Sequence, residues 1–182
     1  WIAPLKSKIC IECLPGQYRL AKEDGCDQCV AGKVRASGQN VSYCNDCKPG
    51  QYQEEDGREF CLQCLPGFYT PNATSAEKCK ACPNGFYQPS QGNNTCNVAK
   101  ASSVVLQRMI EIEVPQGSYK LCPEGVCNNF KACPAGWYGN TEPSDKCEAC
   151  EPGKTSFSGS IKCIECSKGK FSDKRNSSTC AN

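Results

Sequence analysis

The feature that most constrains this chain is a repeated pattern of cysteine, glycine and an aromatic residue. A glycine lies three residues after a cysteine, and an aromatic residue usually follows two positions later. The copies recur at a spacing of about 17 residues, which indicates a tandem array of small units. Their sequences are CLPGQY (13–18), CVAGKV (29–34), CKPGQY (47–52), CLPGFY (64–69), CPNGFY (82–87), CPAGWY (133–138), CEPGKT (150–155) and CSKGKF (166–171).

Each opening cysteine is followed by a closing cysteine, with 12 to 14 residues between the two. A further copy, VPQGSY (114–119), has Val114 in place of the opening cysteine, and Cys127 follows it at the same distance. Cys-x-x-Cys pairs connect successive units. The glycine suits a turn that needs a positive φ, and we expect Tyr69 and its equivalents to pack over disulfides rather than to stack on a ligand.

A Cys-x-x-Cys pair can be half a zinc site, a redox switch or two adjacent links of a disulfide ladder. The spacing Cys-x2-Cys-x12-Cys-x2-Cys suits zinc, but these pairs form an unbroken series rather than sets of four. A thioredoxin-type site needs one exposed pair in a βαβ context, which this sequence does not indicate. We therefore favour the disulfide ladder.

Composition agrees with a covalently stabilised fold. The chain has 19 cysteines in 182 residues, and few large aliphatic side chains remain once they are set aside. Closing one loop of this size removes about 3 kcal/mol of unfolded-chain entropy in the usual account. The sequence predicts a small disulfide-rich fold: an elongated tandem array of short irregular β-hairpin repeats with little conventional core.

The pattern Cys-Pro-x-Gly-x-Tyr … Cys-x-x-Cys, nearly intact at residues 82–96 and 133–147, resembles the ephrin-receptor-like cysteine-rich repeat family. It is also similar to the first loop of tumour necrosis factor receptor cysteine-rich modules. The likeness covers residues 10–96 and 133–182, and it indicates a fold more than a function, because such repeats form stalks, spacers and fibres as well as receptor ectodomains. In both families the opening cysteine bonds the next closing one, which here implies Cys13–Cys26, Cys29–Cys44, Cys47–Cys61, Cys64–Cys79, Cys82–Cys96, Cys133–Cys147, Cys150–Cys163 and Cys166–Cys180.

Three cysteines remain outside this ladder. Cys122 and Cys127 are close enough in sequence to bond each other. Cys10 holds the position of a closing cysteine without an opener, so we expect it to be free or to form an intermolecular bond. The chain resembles a window on a longer array, and we expect head-to-tail contacts with other copies of itself or with a longer parent chain.

Four Asn-x-Ser/Thr triplets predict N-linked glycans, at Asn40, Asn72, Asn93 and Asn176. Asn40, Asn93 and Asn176 each lie three or four residues before a closing cysteine, so the same corner of the repeat is predicted to be exposed each time. These triplets support a secretory origin independently of the cysteines.

The repeat is interrupted after Cys96. In the segment 104–114, alternating residues predict a β-strand that Pro115 ends. This strand either covers the gap between two repeat blocks or adds to a sheet edge of a neighbour, and residues 1–10 of another chain are one candidate partner.

Several function classes are disfavoured. The chain has no histidine, and it shows no nucleophile–base pair, paired-carboxylate signature or phosphate loop, so we expect no catalytic, cofactor or metal site. Its net charge of +2 comes from interspersed acidic and basic residues, which gives no basis for nucleic-acid binding. The longest apolar run is too short to span a bilayer, so no membrane segment is expected in this chain.

The sequence thus predicts an N-terminal segment (1–9), a first block of five disulfide loops (10–96), an insertion with a strand and a degenerate repeat (97–132), and a second block of three loops (133–182). We expect an extracellular, secreted or cell-surface, structural glycoprotein: a rod of repeats that serves as a subunit of a glycan-coated fibre. The alternative is a receptor-type ectodomain that binds a protein ligand, which an exposed cluster of aromatic and arginine residues would favour.

Overall fold

The computed structural model describes residues 12–20, 25–71, 75–139 and 146–182. These residues form short strands and one 3-10 turn, Pro123–Gly125. The strands β1 to β18 are Gln17–Tyr18, Asp27–Gln28, Lys33–Val34, Asn45–Asp46, Gln51–Tyr52, Leu62–Gln63, Phe68–Tyr69, Lys80–Ala81, Phe86–Tyr87, Asn97–Val98, Ser103–Leu106, Ile110–Glu113, Ser118–Leu121, Asn129–Ala132, Trp137–Tyr138, Glu148–Ala149, Lys154–Thr155 and Ile164–Glu165.

The strands pair in sequence order into nine two-stranded sheets, from β1–β2 to β17–β18. In each hairpin of the cysteine repeats, one strand follows the glycine and the other contains the two residues after a closing cysteine. The pairings whose registers are defined are antiparallel, as in Gln51 opposite Gln63. The nine repeat glycines have φ between 77° and 83°, which is the turn conformation expected from the sequence. The predicted disulfide-rich hairpin array is therefore confirmed.

The segment 104–114 is a hairpin rather than the single strand that its alternation predicts. β11 and β12 pair antiparallel, with Val104 opposite Ile112. Gln107 and Arg108 form the turn between them, with φ of 50° and 60°, and the Met109 amide donates to the Leu106 carbonyl at 3.0 Å. Asn-Gly is the usual pair for such a turn, so a Gln-Arg pair at positive φ gives no turn signal in the sequence.

The buried apolar side chains are few and are mostly cysteines. Among the described residues they are Cys29, Val34, Cys47, Cys64, Cys82, Val104, Val114, Cys133 and Cys150. Val114, which replaces an opening cysteine in the degenerate copy, is 3% exposed. An aliphatic side chain thus fills that position without a disulfide.

The chain divides into two compact units. The first contains residues 1–80 and 91–95, and the second contains residues 81–90 and 96–182. The described part of the first is built from repeats alone, and the second also contains the β11–β12 hairpin and the degenerate copy.

Candidate functional site

Disulfides close the repeats. The structure joins the same nine cysteine pairs that the sequence predicts, including Cys122–Cys127, and the partners of each repeat loop have 12 to 14 residues between them. Opening cysteines of interior repeats, such as Cys47, are 0–1% exposed, whereas their closing partners are half-buried. Zinc would need these sulfurs as thiolates, so the structure favours the ladder over a zinc array. Cys10 lies outside the described residues.

Five of the repeats are bonded to the next through the amide of their glycine. The acceptor is the residue three positions after the following repeat glycine, so that the Gly32 amide donates to the Gln53 carbonyl at 2.7 Å. The same bond recurs in both compact units, at Gly16–Arg35, Gly136–Ser156 and Gly153–Ser172, while Gly50 donates to the Thr70 hydroxyl. Four of these five contacts therefore join backbone to backbone, the fifth uses the Thr70 hydroxyl, and none uses an aromatic residue.

A second set of backbone bonds uses one residue at the corner of five of the described loops. These corner residues have a positive φ and lie six to eight positions after the repeat glycine; they are Gly57, Ser75, Gly92, Gly159 and Asn176. The amide of each donates to the carbonyl of the preceding repeat's opening cysteine, as Gly57 does to Cys29 at 2.7 Å. The buried cysteine is thus held by its disulfide and also by the next loop.

Each corner residue also covers a repeat glycine that lies two repeats earlier in the chain. A Cβ on Gly16 would lie 2.0 Å from the carbonyl oxygen of Gly57, and one on Gly136 would lie 2.2 Å from that of Asn176. The same approach occurs for Gly32 with Ser75, Gly50 with Gly92 and Gly117 with Gly159. Each of these repeats therefore contacts the next two, and not only its nearest neighbour as a simple linear array would.

The residue three positions after the repeat glycine is polar and buried, which the sequence pattern does not indicate. The examples are Arg35, Gln53, Thr70, Gln88, Ser156 and Ser172, all at most 7% exposed. Their side chains bond backbone: the Gln53 amide nitrogen donates to the Phe60 carbonyl at 2.8 Å, and the Ser156 hydroxyl donates to the Trp137 carbonyl at 2.8 Å. These side chains satisfy loop backbone that neither strands nor disulfides reach.

Arg35 is the largest of this set. Its guanidinium donates to the carbonyls of Cys13 at 2.9 Å and Leu14 at 2.6 Å in the preceding repeat, and also to that of Gln17. A fourth bond, at 3.3 Å, reaches Gln39 in its own loop. One buried arginine therefore holds the turn of the first loop against the second.

Three of the four predicted glycan sites lie near the loop corners. Asn176 is itself a corner residue with an exposed side chain, and the half-buried Asn93 directly follows the corner residue Gly92. Asn40 is exposed, and its Oδ1 accepts the Ser42 amide at 2.8 Å. Asn72 lies outside the described residues. Two of the three predicted glycan sites that the structure describes, Asn40 and Asn176, are thus open to solvent.

The aromatic residues after the glycine are mostly half-buried, and two tyrosines bond carboxylates. The hydroxyl of Tyr138 donates to Glu148 on the paired strand, and this bond raises the pKa of Tyr138. The hydrogen bond between the Tyr87 hydroxyl and Glu111 of β12 likewise raises the pKa of Tyr87. The backbone amide of Lys100, which donates to Glu111 at 2.6 Å, is the main cause of the lowered pKa of that carboxyl. These two hydroxyl contacts are made within the chain, and the packing of the tyrosine rings over disulfides stays a prediction.

The β11–β12 hairpin occupies the interruption in the ladder. Its β11 edge is bonded to the degenerate copy, since the Val105 amide donates to the Cys127 carbonyl at 3.2 Å. Its turn is bonded to the preceding repeat, where the Gln88 amide donates to the Arg108 carbonyl at 2.9 Å. The described residues give no backbone partner to the outer edge of β12, at Glu111 and Glu113.

The described residues offer neither a metal cluster nor a membrane-spanning helix. Within them, no group of three or more His, Cys, Asp or Glu side chains could hold a metal ion. No helix in the same residues has the length and apolar character needed to cross a membrane.

Comparison with known protein families gives a match over part of the chain. Residues 32–78 match the family described as "Tyrosine-protein kinase ephrin type A/B receptor-like", which confirms the resemblance that the cysteine pattern indicates. No curated protein matches the chain. Disulfides in this number persist in oxidising compartments outside the cytosol. The match over residues 32–78 and the nine disulfides together identify the chain as an extracellular cysteine-rich module with an ephrin-receptor-like repeat.

Proposed function

We propose that this chain is an extracellular structural glycoprotein whose repeats act as a spacer and assemble, head to tail, into a glycan-coated fibre. The observation that carries the proposal is the contact of a repeat glycine with a corner residue two repeats later, as between Gly50 and Gly92. Such contacts depend on backbone and repeat spacing, so a further repeat can be added without a new kind of surface.

The glycan sites support the same role. At Asn176 the backbone makes the close contact with Gly136 while the side chain remains exposed. A sugar attached there would extend away from the repeat contact rather than interrupt it. Glycans at the loop corners would then coat the array without weakening it.

The side chains with shifted pKa values support a non-enzymatic role. The pKa of Asp46 is lowered, first by the hydrogen bond that Ser75 donates and then by Lys33, and the pKa of Glu111 is lowered as well. A carboxyl group that acts as a general acid at neutral pH needs a raised pKa, which neither Asp46 nor Glu111 has, and the sequence contains no histidine. We propose no catalytic activity for this chain.

Self-association forms the finer part of the proposal. The outer edge of β12 can accept a strand, and residues 1–10 of a second copy, which end in Cys10, are the segment we propose for it.

The test is the state of the chain secreted from eukaryotic cells. We expect filaments or end-to-end oligomers by negative-stain electron microscopy and sedimentation velocity, and no alkylation of Cys10 before reduction. A discrete monomer with a reactive Cys10 thiol and a protease-sensitive 104–114 segment would contradict the fibre proposal.

A receptor-type ectodomain is the second candidate, and one surface favours it. Phe60 is 67% exposed and Leu62 is 49% exposed, and both line a groove of about 500 Å³ together with Arg58. Aromatic and arginine side chains are enriched at the centres of protein interfaces. A monomeric chain that lost binding to a protein ligand on Phe60→Ala would support this candidate instead.

A further inference from the structure

The interruption in the ladder leaves the glycine of the preceding repeat open. In both compact units, corner residues from two repeats later cover repeat glycines such as Gly32 and Gly136. The repeat of Gly85 is followed instead by the β11–β12 hairpin, and a Cβ on Gly85 would meet no atom within 4 Å. Gly85 lies well inside the chain, so this opening comes from the interruption itself.

The backbone nitrogen of Gly85 is also free. The amide of Gly32 donates to the Gln53 carbonyl at 2.7 Å, whereas the amide of Gly85 has no acceptor among the residues that the structure describes. The carbonyl of Gly85, by contrast, accepts the Ala99 amide at 2.9 Å. The fold therefore holds the carbonyl of this residue and leaves its nitrogen available.

An asparagine precedes this free nitrogen, at the tip of an exposed turn. The turn is closed by the Phe86 amide, which donates to the Pro83 carbonyl at 3.1 Å. Asn84 and Gly85 are both exposed. Two clefts of about 240 Å³ and 200 Å³, both also lined by Val105 of β11, border the pair. Each cleft is large enough for several water molecules, so water reaches both residues.

We propose that Asn84 is a site of spontaneous covalent modification, in which the nitrogen of Gly85 attacks the Cγ carbon of the Asn84 side chain. The N–Cγ bond forms, the Cγ–Nδ2 bond breaks, and Nδ2 leaves as ammonia with the proton of the Gly85 amide. Water then opens the resulting cyclic imide at one of its two carbonyl carbons and leaves aspartate or isoaspartate at position 84. Water is the only co-reactant, and no electrons are gained or lost.

The local structure favours this reaction at Gly85. Glycine has no Cβ to obstruct ring closure, and its wide range of φ and ψ lets the nitrogen approach Cγ. An amide that is bonded in the fold becomes available only when that bond opens. Gly85 has neither such a bond nor a covering residue within the described chain, so the folded protein itself can react.

The pair Asp56–Gly57 has the opposite arrangement. Asp56 is exposed like Asn84, and it also precedes a glycine with a positive φ. The Gly57 amide, however, donates to the Cys29 carbonyl at 2.7 Å, and Asp56 Oδ1 accepts the Ala31 amide at 2.7 Å. Asparagine retains an Oδ1 acceptor. The variant Asp56→Asn therefore creates a second Asn–Gly pair in which the glycine nitrogen is held.

The product changes the backbone beside the interruption. Isoaspartate carries the main chain through its side-chain carbon, which lengthens the backbone between Pro83 and Gly85 by one carbon. The bond from Phe86 to Pro83 and the bond from Ala99 to Gly85 then lose their geometry. We expect the β9–β10 pairing, with Val98 opposite Phe86, to weaken as a result.

The test compares the two Asn–Gly pairs in one molecule, the Asp56→Asn variant, kept at neutral pH and body temperature with its disulfides intact. Peptide mass spectrometry, with fragmentation that separates aspartate from isoaspartate, follows each site over time. We expect position 84 to react at least about tenfold faster than position 56, because the Gly57 bond must open first. In the reduced, denatured chain the two rates should differ far less. A position 56 that reacts as fast as position 84 in the folded chain would contradict the inference.

The wild-type chain gives a measurement that does not depend on this variant. Asn84 should react in the folded chain at a rate within about tenfold of its rate in the denatured chain, because no bond of the Gly85 amide has to open. Asn84→Gln is the control: glutamine would have to form a larger ring, so modification at this position should stop. If Asn84 reacts when denatured but stays unmodified when folded, the turn protects it and the inference is wrong. Neither result depends on the proposed self-association.

Discussion

The carbonyl oxygen of Gly57 lies only 2.0 Å from the place that a Cβ on Gly16 would occupy. The two residues belong to repeats separated by a complete intervening unit, and about 40 residues of sequence separate them. Glycine at this position is therefore required for two independent reasons: its φ of 80° and the absence of a side chain.

Gly136→Ala and Gly153→Ala separate these two reasons. Both glycines have φ near 82°, so both variants carry the same backbone strain of about 1–2 kcal/mol. Only at Gly136 does the added Cβ meet a neighbour, the Asn176 carbonyl, which adds about 1–3 kcal/mol. Thermal or denaturant unfolding of monomeric protein with its disulfides intact should show the larger loss for Gly136→Ala. Equal losses would mean that the corner contact is not close in solution.

Arg35→Ala should destabilise the first compact unit. The guanidinium bonds four carbonyls and the residue is 4% exposed, so removing it leaves part-buried acceptors without donors, at a cost of about 1–3 kcal/mol. Arg58→Ala is the control, because Arg58 pairs with Glu55 at an exposed site and should change stability by less than about 1 kcal/mol. Denaturant unfolding measures both, and similar small effects would show that Arg35 is solvated.

Asn40, Asn72, Asn93 and Asn176 should carry N-linked glycans when the chain is secreted from eukaryotic cells. Each belongs to an Asn-x-Ser/Thr triplet, and the exposed Asn40 and Asn176 should be occupied more fully than the half-buried Asn93. Mass spectrometry before and after glycosidase treatment, with single Asn→Gln variants as controls, gives the occupancy of each site. Unmodified asparagine at most of them would remove this support for a secretory glycoprotein.

The contact between Asp46 and Ser75 should weaken in acid. The Ser75 hydroxyl donates to Asp46, and Lys33 lies 3.1 Å from the same carboxylate, so both favour the charged form and lower its pKa. A lowered folded pKa means that the stabilisation is present above the ordinary aspartate pKa of about 3.9 and is lost as pH falls through the folded value. The Ser75 amide donates to the Cys47 carbonyl. Its hydrogen exchange should therefore accelerate, beyond the intrinsic pH dependence of exchange, as the pH falls through the folded pKa of Asp46.

Asp46→Asn should remove this acid-dependent step, and Asp27→Asn, at another exposed position between a closing and an opening cysteine, should retain it. An Asp46→Asn variant that kept the step would assign it to another group. The effect should be small, because the Asp46 side chain is 42% exposed and solvent screens its interactions.

The disulfide-closed hairpins were predictable because a constant spacing leaves few loops that two cysteines can close. The positive φ of glycines such as Gly67 followed from the same pattern. The turn at Gln107 and Arg108 was not predictable, because neither residue favours a positive φ and the bond from the Gln88 amide to the Arg108 carbonyl forms only in the folded chain.

The buried polar position could not be predicted from the sequence either. Arg35, Gln53 and Ser156 are types of residue that usually lie on a surface, so their burial depends on carbonyls that only the folded neighbour supplies. The covering of Gly16 by Gly57 was unpredictable for a related reason, because spacing fixes which cysteines close a loop but not where the loop corner lies relative to other repeats.

The covering of a glycine by a later corner gives the array a direction during synthesis. A domain that enters the secretory pathway emerges from its N-terminal end, so a repeat can close its disulfide well before the corner that covers its glycine has been translated. Gly32, for instance, stays open until the segment around Ser75 has folded. Covalent closure of a repeat therefore does not require the later corner, whereas the covering of its glycine does.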